Sequence, residues 1–237
     1  MRDQIYEEGH SGSAVYLSEF VYGGMDGAVT TFAVVAGATG AMLAPGIVII
    51  LGFANLIADG FSMATGNYIS EKTQMDFIRR ERAREEWEIE QVPMGERHEI
   101  EEIFRKRGLK GKRLHQITDI ITSDKDLWVD TMLTYELGLN VTDTNPWKSA
   151  VATFLGFLTI GIIPLLSYLL AYIVPYFAAH TFLLAIAMTF VALAAVGYLK
   201  AQMTSASVSK GVLQTVLLGG AAAALAYGVG YMLQALA

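Results

Sequence analysis

The sequence predicts an all-α, polytopic membrane protein with five transmembrane helices and a cytoplasmic helical domain. Three observations carry this expectation. Of 237 residues, 53% are hydrophobic and only 17% are charged, against roughly 25% charged in soluble domains. Crossing about 30 Å of hydrocarbon takes roughly 20 apolar residues. Runs of that length stand at about 18–43, 46–70, 148–174, 177–199 and 210–235. The alternating pattern of a half-buried strand occurs nowhere.

Taken in order, Met1 to Ser13 is polar and lacks the apolar core of a secretory signal, so the first span is expected to serve as its own insertion signal. Pro45 and Pro175 mark tight turns inside two helical hairpins. Glu71 to Glu90 continues the second span as a charged helix that ends before Pro93. Shorter helices are expected at 95–107 and 112–121. Ser123, followed three residues later by Asp126, reads as a capping box opening a helix that stops before Gly138. The chain therefore divides into residues 1–70 with spans one and two, a middle domain at 71–146, and residues 147–237 with spans three to five.

All 17 Lys and Arg fall at Arg2, between Lys72 and Lys148, or at Lys200 and Lys210. With five spans these lie on one side of the membrane, and the loops near 44 and 175 hold none. The positive-inside rule then places the N-terminus and the 71–146 domain in the cytosol and the C-terminus opposite. The expected location is an organelle or vacuolar membrane, or the plasma membrane of a prokaryote.

The first hairpin carries acids where lipid is expected. Glu19, Asp26 and Asp59 interrupt a Gly-rich apolar run that contains no Lys or Arg. A carboxylate in hydrocarbon costs several kcal/mol unless it meets a partner, water or a cation. Glu19, Asp26 and Thr30 share one helical face at i, i+7 and i+11. Asn55, Asp59, Met63, Asn67 and Glu71 recur every four residues, drifting about 40° per step. An acid-bearing stripe on each helix, one with a thioether, suggests a polar path for a metal ion; core packing for Met63 and a structural hydrogen bond for Asp26 are the plain alternatives. Gly23 and Gly27 form a small-residue pair beside Asp26 at which a neighbouring helix, or a second copy of the first span, could pack closely. Gly220, Ala224 and Gly228 offer a similar face on the last span.

In the middle domain, residues 79–84 hold four Arg and residues 105–113 hold six basic side chains. Between them, residues 85–102 hold eight Glu against Arg97 alone. Glu85 with Glu88, and Glu96 with Glu99, are i, i+3 pairs sharing a face. Joined by a turn at Val92-Pro93, the two pairs could converge as an oxygen site for Fe²⁺, Mn²⁺ or Mg²⁺; a solvated acidic surface is the bland reading. Met132 and Glu136 stand at i, i+4 on the later helix, and Glu81 and Glu102 lie on nearby faces.

Other classes are disfavoured. Cys is absent, so thiolate sites and disulfides are excluded, and a net charge of −6 argues against nucleic acid as a partner. Glu-x-x-His, which recurs in ferritin-like di-iron sites, occurs once, at Glu7 and His10. This argues against a membrane-anchored iron oxidase, and no catalytic cofactor or enzymatic activity is expected. A metal-independent permease using Asp26 and Asp59 as proton carriers would leave the glutamate cluster without a role.

The stretches Tyr22-Gly-Gly-Met-Asp-Gly-Ala-Val-Thr-Thr-Phe-Ala-Val-Val-Ala-Gly37 and Asn55-Leu-Ile-Ala-Asp-Gly-Phe-Ser-Met-Ala-Thr-Gly-Asn-Tyr-Ile-Ser70 resemble the vacuolar iron transporter family. The similarity extends through the acidic middle domain and the helix from Trp128 to Leu139. The resemblance implies proton-coupled export of Fe²⁺, sometimes Mn²⁺, from the cytosol by a homodimer with a shared pathway. It implies carboxylate ligands at Glu85, Glu88, Glu96, Glu99 and Glu136, with Met132 beside them, and transport-site roles for Asp26 and Met63. Two positions depart from the family pattern: Leu133 stands where a second Met often follows, and Asn55 where an acid is frequent. Asp59, one turn on, could carry that charge, and Glu19 sits near the expected cytoplasmic mouth.

Overall fold

The computed structural model describes residues 12–139, 144–204 and 207–236, and among these every regular element is a helix. In chain order they are α1 (Gly12–Gly40), α2 (Pro45–Gln91), α3 (Pro93–Lys106), α4 (Gly111–Thr122), α5 (Lys125–Tyr135), α6 (Pro146–Gly161), α7 (Ile163–Leu170), α8 (Pro175–Met203) and α9 (Val208–Leu233). Five segments are long and apolar enough to cross a membrane: Val15–Gly40, Pro45–Gln91, Pro146–Leu170, Pro175–Met203 and Val208–Leu233. The all-helical, five-span expectation holds. The 47 residues of α2 extend about 70 Å at 1.5 Å per residue, far beyond a bilayer, and from Lys72 onward the helix is charged. Only its first half is a span.

Two local expectations change. The third span is divided into α6 and α7, because Pro164 has no N–H to donate back along the helix and its ring disturbs the preceding turn. The cap of α5 is Asp124, whose carboxylate accepts from the Leu127 N–H at 3.0 Å. Ser123 instead donates to the Ile120 carbonyl at 2.7 Å, closing α4 and leaving the capping role to its neighbour. The Glu7–His10 spacing lies outside the described residues.

The chain forms two compact units, residues 1–69 with 144–237, and residues 70–143. In the first, α1 is the central helix, packed against α6, α9, α8 and α7. Its inner face buries Phe32, Val35 and Ala36 against Leu56, Phe157, Leu165 and Ala185. Lipid offers no hydrophobic drive between helices, so van der Waals contact along small residues holds such bundles together. The seams here are very close. A Cβ added at Gly23 would lie 2.2 Å from the Thr153 carbonyl oxygen, and one at Gly27 2.4 Å from that of Phe157. From the other side, a Cβ at Gly156 would meet the Phe20 carbonyl oxygen, and one at Gly230 that of Gly37.

The Gly23–Gly27 face is therefore filled by α6 of the same chain and is not where two copies of α1 could meet. On α9 the tight contacts fall at Gly219 and Gly230, whereas Gly228 has open space beside it; the face expected at Gly220, Ala224 and Gly228 is not the seam.

The second unit packs α3, α4 and α5 around Ile100, Ile103, Ile121, Trp128, Val129, Met132 and Leu133, joined by Ile89 from α2. Arg82 reaches Asp130 and Asp126 of α5, Lys125 reaches Glu90 at 2.5 Å, and Arg97 binds Thr122 at 2.9 Å and also Asp119.

The seam makes a simple prediction. Gly27→Ala should lower the melting temperature of the detergent-solubilised protein, at a cost of about 1–3 kcal/mol typical of overpacking. Gly66→Ala, with nothing within 4 Å of the new methyl, should be neutral or stabilising by up to about 1 kcal/mol. Equal effects at both positions would mean that α1 and α6 are not closely apposed.

Candidate metal centre

The turn at Val92 sets the geometry. The Val92 N–H closes α2 by donating to the Glu88 carbonyl at 2.7 Å, and Pro93 opens α3. Glu85 and Glu88 stand one turn apart at the end of α2, and Glu96 in the first turn of α3. One carboxylate oxygen from each of Glu85, Glu88 and Glu96 lies within 4.8 Å of the other two. Glu85 and Glu96 are buried, at 3% and 8% exposure. In each, Oε2 is shut off from solvent and accepts no hydrogen bond.

Buried anionic oxygens without donors are unfavourable unless a proton or a cation reaches them. The titration behaviour follows. Burial, reinforced by Glu136, Glu88 and Glu96, pushes the Glu85 carboxyl from 4.5 to about 7. Glu96 is raised by burial and then by Glu99 and Glu88. Glu136 is exposed along much of its length, yet loss of water at its carboxyl, with Glu99 and Glu96 beside it, also brings it to about 7.

All five glutamates thus belong to one electrostatic cluster, the tightest part being Glu85, Glu88 and Glu96. The nearest base, Arg84, is bonded to Glu88 at 3.1 Å and lies 3.9 Å from Glu81. Glu81 is buried against Arg80 at 2.8 Å, and Glu102 pairs with Lys106 and His98; neither joins the trio. Met132 has no exposed surface and packs in the apolar core with Leu133, one turn before Glu136. Arg84 was not singled out from sequence, where it looked like one of four similar arginines.

In the other unit, Glu19 is bound more firmly than an interfacial residue would be. The Asn67 Nδ2 donates to Glu19 Oε2 at 2.7 Å and to Thr153 Oγ1 at 2.9 Å, and Thr153 donates to Glu19 at 3.3 Å. This network joins α1, α2 and α6. Thr153 is fully buried and was not recognisable beforehand, because its partners lie 86 and 134 residues away. Asp26 and Asp59 are both half-buried. Thr30 donates to the Asp26 backbone carbonyl at 2.9 Å, leaving the side chain free of that contact. Met63 packs partly buried against the core, and Asn55 Nδ2 is buried without an acceptor. The unit thus holds a Glu19 network and two half-buried aspartates, Asp26 and Asp59, inside apolar helices.

Comparison with known proteins bears on these arrangements. The profile of the VIT family matches residues 17–231. A "Vacuolar iron transporter" of Toxoplasma gondii is 34% identical over 236 residues, covering 97% of this chain and 78% of the relative. One of Plasmodium falciparum is 34% identical over 96% of this chain and 85% of its own length. "Vacuolar iron transporter 1" of Arabidopsis thaliana is 30% identical over 94% and 88% respectively.

The raised carboxyls predict a pH dependence with a definite sign. Between about 4.5 and 7 the folded protein holds more protons at Glu85 and Glu136 than the unfolded chain. Stability from these groups is therefore complete below 4.5 and is lost as pH rises through 7. In metal-free buffer, Glu85→Gln should lose less melting temperature than the wild type between pH 5 and pH 8. At pH 8 it should be the more stable by about 1–3 kcal/mol. Identical pH profiles would remove Glu85 from the cluster.

Proposed function

Since the chain belongs to the VIT family, we propose that it exports ferrous iron, with manganese as a second substrate, from the cytosol in exchange for protons. The observation that carries this reading is the convergence of Glu85, Glu88 and Glu96, with two buried oxygens that no donor satisfies. A divalent ion relieves both the repulsion and the lost hydration, and oxygen ligands suit Fe²⁺ and Mn²⁺. Glu99 and Glu136 complete the capture site, and Met132, one turn before Glu136, is its candidate soft ligand. The 70–143 unit then faces the cytosol, in an organelle membrane or a prokaryotic plasma membrane.

Within the spans, Glu19 receives the ion, and Asp26 with Asp59 passes it on. A carboxylate in an apolar environment is neutralised by a proton or by a cation, and each displaces the other. That competition is the proposed basis of exchange, with protons from the far side releasing the metal. The Met63 thioether favours transition metals over Mg²⁺ and Ca²⁺. A homodimer fits this scheme, using a face other than the Gly23–Gly27 seam. A metal-independent permease would account for Asp26 and Asp59 but not for the unpartnered glutamates, and an iron oxidase has only the single Glu-x-x-His spacing in its favour.

The test is flux into proteoliposomes. Wild-type protein should accumulate Fe²⁺ when the lumen is acidic and should alkalinise that lumen as it does so. Asp26→Asn should abolish uptake without unfolding, and Met63→Leu should impair it at a packing cost below about 1.5 kcal/mol. Replacing Glu85, Glu88, Glu96 and Glu99 with Gln should weaken uptake at low iron and spare it at saturation. Uptake that ignores the pH gradient at clamped membrane potential would eliminate exchange. Full uptake by Asp26→Asn would eliminate the path.

A further inference from the structure

Metal transport gives no role to the six basic side chains between Arg105 and Arg113. They surround the corner where α3 ends and α4 begins. Gly108 and Gly111 both take positive φ there, at 96° and 56°, a region open to glycine but strained for other residues. The Gly108 and Leu109 N–H groups donate to the Arg105 and Phe104 carbonyls at 3.0 and 3.1 Å, so the turn is hydrogen-bonded.

The six charges are not equally engaged. Arg105 lies 3.6 Å from Glu101, and Lys106 3.8 Å from Glu102. Arg107 covers the Tyr135 ring at 4.1 Å from its centroid, which keeps its charge. Lys110, Lys112 and Arg113 are exposed and form no ion pair among the described residues. The first turn of α4 contains no acid, and no side chain caps it. Acids are favoured at that end of a helix, so these cations add to a field already positive. A chain of net charge −6 thus concentrates uncompensated positive charge at one corner.

We propose that the Arg105–Arg113 corner is a docking surface for anionic phospholipid headgroups. Clusters of four to eight Lys and Arg beside a membrane span are drawn to acidic leaflets. Here α2 runs without interruption from the second span into the unit that bears the corner. That covalent tether keeps a bilayer surface at high effective concentration. Nucleic acid would match the charge, but single strands are held by stacking on aromatic side chains, and the exposed ring beside the corner, Tyr135, is already covered by Arg107. The inference is independent of the metal transported and of the direction of transport.

The absence of cysteine permits a clean test. A single fluorophore is placed on Gln116→Cys, an exposed position one turn beyond Arg113, in the full-length protein. The protein is reconstituted into nanodiscs carrying headgroup spin labels, of phosphatidylcholine alone or with increasing phosphatidylglycerol. Quenching should rise with phosphatidylglycerol content and disappear at 0.5 M salt, where screening reaches only about 4 Å. Lys110→Gln with Lys112→Gln and Arg113→Gln should weaken docking about a hundredfold, at about fivefold per residue. The charge-conserving pair Lys110→Arg with Lys112→Arg should dock normally, which separates loss of charge from misfolding. Equal quenching in both lipids, or quenching unchanged in the neutralised variant, would overturn the proposal. So would displacement by a micromolar oligonucleotide or by inorganic phosphate at matched ionic strength, which would assign the corner to a soluble anion.

Discussion

Backbone-to-backbone contact along α1 is the constraint on which the membrane unit depends. Gly23 and Gly27 admit α6, and Gly40 and Gly230 let α1 and α9 meet, at separations that leave no room for a single methyl group. Close contact of this kind supplies in lipid the cohesion that the hydrophobic effect supplies in water. It also decides which polar groups meet. With α6 drawn against α1, Thr153 arrives within reach of Glu19, and Asn67 of α2 bridges the two. The glycines thus support a part-buried polar cluster that an apolar bundle would otherwise exclude.

The 70–143 unit meets an opposite difficulty. Its glutamates lie near one another with too few donors, so the cluster is electrostatically unfavourable in the metal-free protein. Ion pairs elsewhere in the unit hold the helices in place: Arg82 to Asp126 and Asp130, Lys125 to Glu90, Arg97 to Asp119. Most of these are exposed, and single exposed pairs contribute about 0–1 kcal/mol each. The apolar core around Ile100, Val129 and Met132 does more of the stabilising. The scaffold tolerates these unsatisfied carboxylates at the expense of stability near neutral pH.

The two halves of the charged sequence behave differently for the same reason. Bases in residues 79–97 have their carboxylate partners on neighbouring helices, one turn away or, for Arg80, at the next residue, and much of their charge is internal to the unit. Bases at 110–113 have none among the described residues, and their field points outward. The distribution of partners, more than the count of charges, separates a structural arginine from a surface available to another molecule.

Helical class, five spans, the continuation of α2 past the bilayer and the two i, i+3 glutamate pairs were legible in the sequence, because each rests on periodicity, length or near-neighbour spacing, whereas Glu136 entered only through the family resemblance. Glu85 with Glu88 are one turn apart, and Glu96 follows a proline turn; local geometry alone brings them near. What only the tertiary structure decided was every relation between distant residues. The Gly23–Gly27 face could have met any helix, and it met α6 of its own chain. Glu19 could have been merely interfacial, and Asn67 and Thr153 made it part of a network. Asp124, not Ser123, caps α5, because two adjacent polar residues compete for that cap within one turn and only the folded backbone settles their alignment. Spacing along a chain specifies which face a residue occupies, whereas the neighbour across that face depends on how closely two backbones can approach.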